Sequence, residues 1–210
     1  MKRHLSILLI LGLAVSLIGP AAAHAAKPKK KKKPVPVDVV YHIVWNGDGC
    51  ALSTSTDMAS DSDSCQDPFA GATQSALGSG PFDMPALDGL PLTLDGSKAI
   101  KAHISADSYG AVGLGPDIIG IGQPQIHAKL TGTVDGNDVT IGEVTTDPYT
   151  VTPAAYHYTV DFEFPVPAEL ANKVLTGLTL SMDIEGKSLF HGVFPADGSS
   201  TLTVGAFATP

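Results

Sequence analysis

YHYTVDFEF, residues 156–164, sets Tyr156, Tyr158, Val160, Phe162 and Phe164 against His157, Thr159, Asp161 and Glu163. Successive side chains of an extended chain point to opposite faces, so the run predicts a strand with one buried face and one wet face. LTGLTLSMDI, residues 175–184, repeats the device with Leu175, Leu178, Leu180 and Met182, and Gly177 breaks the period where a bulge is expected. Asp135-Gly136-Asn137-Asp138 separates two apolar runs and reads as a hairpin turn, with Gly136 supplying the positive φ.

Working outward from these, Gly, Pro, Asp, Asn and Ser clusters recur every several residues, with short period-two runs between them. The runs are Val39–Trp45, Leu90–Leu94, Ala99–Ser105, Ile118–Ile121, Gln125–Thr131, Asp138–Val144, Tyr156–Phe164, Leu175–Ile184, Ser188–Phe194 and Thr201–Phe207. That is about ten strands. Helix is confined to Pro167–Lys173, where proline occupies a permitted first-turn position. Many short strands without long helical spacers exclude parallel α/β designs. The expected fold is all-β: a two-sheet β-sandwich of jelly-roll or Greek-key type with at most one short helix, spanning residues 38–210 as one domain. The polar, turn-rich segment from Thr54 to Pro85 reads as an irregular loop.

The chain opens with Lys2 and Arg3, an apolar run from Leu5 to Ile18, then small residues ending in Ala23-His24-Ala25. This is the pattern of a secretory signal peptide, expected over residues 1–25. As a helix the run spans about 21 Å against a bilayer core of roughly 30 Å, so no transmembrane anchor is expected. The expected location is secreted or loosely envelope-associated.

Residues 26–37 hold a basic, proline-rich linker with Lys27, Lys29, Lys30, Lys31, Lys32 and Lys33 between Pro28, Pro34 and Pro36. Like charges repel and prolines remove donors, so an extended solvated tract is expected. From Asp38 onward there are five lysines, no arginine and all 21 acidic residues, a net charge of −16. The lysines suit a tether to anionic envelope polymers, or serve as a solubilising spacer. A nucleic-acid partner is not expected, because the acidic body repels phosphate.

Cys50 and Cys65, the only cysteines, are expected to form a disulfide in an oxidising compartment, closing a polar loop near residues 50–65. Their spacing is far from the Cys-x-x-Cys of redox catalysts. Asp61, Asp63 and Asp67 are hard oxygen ligands of the kind calcium takes, but the glycine and distal glutamate of an EF-hand loop are missing. The loop therefore reads either as a calcium site or as a plain acidic loop, and no other cofactor is expected.

Five histidines lie in the body, at 42, 103, 127, 157 and 191, and none has His-x-x-x-His or His-x-His spacing. His103 and His127 fall inside expected strands and read as ordinary half-exposed side chains. His191, Asp197, Ser199 and Ser200 supply triad residue types, yet the Gly-x-Ser-x-Gly elbow is missing and Asp197–Ser200 reads as a turn before the last strand. Trp45, beside Asn46-Gly47-Asp48-Gly49, is either a binding platform at a rim or a packing indole. The function expected is a secreted, noncatalytic β-sandwich acting by binding or structural contact at or outside the cell envelope, with a polysaccharide or a protein as partner. The alternative is an extracellular hydrolase whose site is assembled from residues distant in sequence.

Overall fold

Alternation builds the long strands among the described residues. The computed structural model describes residues 33–60, 64–65, 78–110, 125–147, 157–185 and 190–208, all within one compact unit, Lys33–Pro210. Its strands are β1 (Val35–Trp45), β2 (Cys50–Ser53), β3 (Ser64–Cys65), β4 (Gly78–Pro85), β5 (Leu92–Leu94) and β6 (Ile100–Gly110). They continue with β7 (Gln125–Val134), β8 (Asn137–Thr145), β9 (His157–Phe164), β10 (Val174–Glu185), β11 (Phe190–Pro195) and β12 (Asp197–Ala208). The expected helix is a single 3₁₀ turn, Ala168–Leu170, entered from Pro167. The protein is all-β, and every strand ladder is antiparallel.

The ladders fall into two arrays. One runs β2–β1–β12–β6–β9, with β11 continuing beside the far half of β6 and β3 on β11. The other runs β4–β10–β7–β8. Short β5 bonds to β12 through Thr93 and Leu94 and to β10 through Leu92 and Thr93, joining the arrays into one network. Along the edges, Leu52 of β2 bridges Ala86 just past β4, and β8 lies against β9. Buried Ile104, Phe164, Leu202 and Val204 of the first array and Ile126, Leu130, Leu180 and Met182 of the second belong to one apolar cluster. The arrangement is compatible with a two-sheet sandwich.

Local chemistry sets the register. Asp135 and Gly136 both have positive φ, 52° and 79°, the pair of left-handed residues that a two-residue hairpin of the primed type requires between β7 and β8. In β10 the pairing with β7 slips between Leu175 and Gly177, so Leu175 and then Leu178, Leu180 and Met182 all face inward despite the broken period. A Cβ on Gly177 would lie 2.5 Å from Thr133 Oγ1, so any side chain there would have to push Thr133 aside.

Three differences from the sequence reading have physical reasons. β4 lies inside the segment read as irregular loop: GSGPFDMP alternates exposed Pro81, Asp83 and Pro85 with buried Phe82 and Met84, and it pairs with β10 alone. Proline is tolerated there because an edge strand has one side without ladder bonds. The strand expected from Val39 begins at Val35, paired with Ala208, inside the stretch read as linker. Asp197–Ser200 belongs to β12 rather than to a turn before it, with Gly198 at φ 78° where the β1 register shifts. The expected strand at Ile118–Ile121 lies outside the described residues.

The disulfide forms between Cys50 and Cys65, with Cα atoms 5.4 Å apart. It fastens the start of β2 to β3, whose Cys65 pairs with Phe194 of β11. In the connection between β4 and β5, Asp88 accepts hydrogen bonds from the Ser53 hydroxyl at 2.8 Å and the Thr54 amide at 2.7 Å. The neighbouring Tyr41 hydroxyl donates to the Gly89 carbonyl at 3.3 Å. Burial, reinforced by the negative charge of Asp88, pushes the Tyr41 phenol up to about 12.

Candidate functional site

Period-two alternation turns one side chain in two away from the core, and on β6 and β7 those positions carry bases. Lys101-Ala102-His103 and His127-Ala128-Lys129 are mirrored tripeptides in which each alanine is buried and both bases face out. Pairing then adds one neighbour on each side. On the first array His103 sits between Thr201 of β12 and Asp161 of β9, and Lys101 sits between Thr203 and Glu163. On the second array His127 sits between Asp183 of β10 and Thr145 of β8, and Lys129 sits between Ser181 and Glu143.

Each outer face therefore carries two rows, and every row consists of a hydroxyl, a base and an acid. The bases touch their neighbours. His103 Nδ1 and Asp161 Oδ1 are 2.7 Å apart, and Lys101 Nζ lies 3.6 Å from Glu163 Oε1. Opposite, Lys129 Nζ is 2.7 Å from Glu143 Oε1, and His127 Nδ1 is 2.9 Å from Thr145 Oγ1. The first face forms an open groove of about 530 Å³ over Ala102 and Phe162. The second forms one of about 270 Å³, whose lining includes Pro81.

These contacts do little for the fold. Asp161 is 80% exposed and Lys101 70%, and ion pairs that wet contribute about 0–1 kcal/mol. The core beneath holds the sheets without them.

Of the residues singled out from sequence, His103 and His127 stand in these rows, whereas Trp45, Ser199, Ser200 and His191 do not. Trp45 is half-buried and packs against the apolar cluster at the end of β1. Beyond it Asn46 Oδ1 accepts the amides of Asp48 and Gly49, both at 2.9 Å, closing the turn. Ser200 is fully buried, and its hydroxyl oxygen accepts the Ser105 amide at 2.9 Å, filling a gap in the β6–β12 ladder. It is therefore no exposed nucleophile. Ser199 is exposed and donates its amide to Asp197 Oδ1 at 2.8 Å. His191 pairs through its backbone with Tyr109 in the β11–β6 ladder.

Asp61, Asp63 and Asp67 lie outside the described residues, as do Lys27 and Lys29–Lys32. Among the described residues no group of three or more His, Cys, Asp or Glu is placed to hold a metal ion. Also among them, no helix is long and apolar enough to cross a membrane. The twin rows escaped the sequence reading because each needs three strands in register. The legible signal was the mirrored Lys-Ala-His and His-Ala-Lys.

No family model matches the chain, and no curated protein matches it. A solved structure of infectious bursal disease virus, Gt strain, is similar at 12% identity and a TM-score of 0.31 over 95% of this chain. The chain spans 42% of the length of that viral chain.

Proposed function

We propose that the protein is a secreted, noncatalytic β-protein that acts by binding or structural contact at or outside the cell envelope. The observation that carries this reading is the pair of outer faces, each presenting hydroxyl, base and acid side chains in adjacent rows above an open groove. The signal-like start, residues 1–25, and the Cys50–Cys65 bond support an exported chain. The lysines at 27 and 29–33 then act as a tether to anionic polymers, next to a body that such polymers repel. The test is retention on isolated envelope fractions at low salt, with the mature chain and with the same chain lacking residues 27–33. The mature chain is expected to be retained and the shortened one retained less. Equal retention removes the tether, and no retention of either removes the binding reading.

One observation favours a second reading. Thr201, His103 and Asp161 form a row in the order nucleophile, base and orienting acid, with the histidine already hydrogen-bonded to the carboxylate. A hydrolase working there turns over a p-nitrophenyl ester and loses that turnover in His103→Gln. No turnover, or equal turnover by both proteins, rejects it.

A further inference from the structure

Lateral pairing at one end of the sheet lines up a strip that no strand shows alone. Val174 of β10 stands opposite Thr93 of β5, Thr93 opposite Phe207 of β12, and Phe207 opposite Pro36 of β1. Their chain neighbours Leu175, Leu92, Leu94 and Ala206 are buried, so the four side chains point outward together. Val174 is 47% exposed, Pro36 is exposed, and Phe207 is half-buried. Val35 and Val37 point to the other side of β1 yet are 61% and 36% exposed, so the start of that strand is apolar on both sides.

Lysines close the strip at both ends. Exposed Lys173 precedes Val174, and exposed Lys33 stands two residues before Val35, the last of the lysines at 27 and 29–33. Resting on the tether reading above, we propose that this strip is a membrane-docking surface, laid on an anionic lipid bilayer with the lysines among the headgroups and the apolar side chains just beneath them.

The partner follows from the two chemistries standing side by side. A bilayer interface offers anionic phosphates and an acyl layer within about 5–10 Å of each other, and affinity for it grows with buried apolar area plus attraction to anionic lipid. A polymer of anionic sugars would engage the lysines and leave Val174, Val35 and Pro36 in water. Each lysine close to an anionic leaflet adds about fivefold to affinity.

The acidic body does not cancel this attraction. Near the strip, Lys33, Lys98 and Lys173 balance Asp38, Asp95 and Glu169, and Lys98 Nζ lies 2.6 Å from Asp38 Oδ1. The row that holds Lys101 and Glu163 meets β1 at Val40, four residues past Pro36 and so about 13 Å along the strands. That exceeds the Debye length of about 10 Å at 0.1 M salt. The strip is locally neutral, and the lysine tract beside it decides the sign.

The experiment sediments the mature chain with vesicles of phosphatidylcholine, with and without phosphatidylglycerol, and measures capture by soluble alginate as the polymeric anion. Two changed proteins are compared: one lacking residues 27–33, and one carrying Val35→Ser with Val174→Ser. The mature chain is expected to bind the vesicles that contain phosphatidylglycerol and to leave the others. Deleting the tract should cost at least tenfold in affinity. The two serines should cost about fivefold on vesicles and nothing on alginate. Pro36→Ser with Val174→Ser repeats the comparison should the first pair fail to fold, as judged by circular dichroism.

Vesicle binding unchanged by the serines overturns the proposal, because the lysines then act alone. So does equal binding to both kinds of vesicle, capture by alginate with no vesicle binding, or capture by an envelope protein with no vesicle binding. Those failures leave envelope retention intact, whereas a chain retained on no envelope fraction refutes the underlying reading.

Discussion

Asp88 holds two donors with one carboxylate, the Ser53 hydroxyl and the Thr54 amide, at the mouth of the cluster around Tyr41. Desolvation alone would raise its pKa, but the hydrogen bonds from Thr54 and Ser53 outweigh it and hold the carboxyl below its ordinary range. A carboxyl that binds its proton more weakly folded than unfolded stabilises the fold above the unfolded pKa. That stabilisation fades as pH falls through the lower folded value. Asp88→Ala is expected to cost about 1 kcal/mol near neutral pH, a figure kept low because solvent screens the site. The gap to wild type should close below about pH 4, checked by urea unfolding at several pH values. A gap of constant size down to pH 2 would assign the loss to packing. Neither this site nor the rows around His103 and His127 was visible residue by residue. A carboxylate gains its role from a strand or turn many positions away, as Asp161 does from His103, and period-two spacing gives the face of a residue without giving its neighbour.

Strands were legible in proportion to how much of their sequence alternates. β9, β10 and β12 alternate over long runs, and their inward residues are the ones expected: Phe162 and Phe164, Leu178, Leu180 and Met182, and Leu202 and Val204. β4 was missed because glycines at 78 and 80 and prolines at 81 and 85 mask a short alternation of two side chains, Phe82 and Met84. Phe82 nonetheless meets Phe194 edge to face, with ring centroids 5.4 Å apart. β3, only two residues long, has no pattern to read and gains its place from the neighbouring chain and the disulfide. Replacing Cys50 and Cys65 with serine is expected to lower unfolding free energy by about 3 kcal/mol, the chain-entropy value for a loop of this length. Guanidinium denaturation measures the shift in midpoint, and faster hydrogen exchange at Cys65 and Phe194 would place it at the β3–β11 ladder. Denaturation unchanged by the double replacement would show that the surrounding strands hold β3 without the covalent link.

At the scale of the whole molecule, the division of charge was readable before any strand was placed. An acidic body adjoins a lysine tract whose last residues lead directly into β1, paired from Val35 onward with the final strand. If the tract acts as the tether proposed, the part of envelope retention that depends on residues 27–33 must fall steeply between low salt and about 0.5 M, because a Debye length near 10 Å at 0.1 M shrinks as salt rises.

The pairing of β1 with β12 also governs when the molecule can come into being. The opening strand finds its long ladder only against residues 197–208, which also supply neighbours to β5 and β6. Those residues are synthesised after the other described strands, and long-range pairing of this kind is slow to nucleate. The β1 ladder must therefore wait until residues 197–208 are made, and until then its valine-rich edge is left for solvent or a chaperone to accommodate.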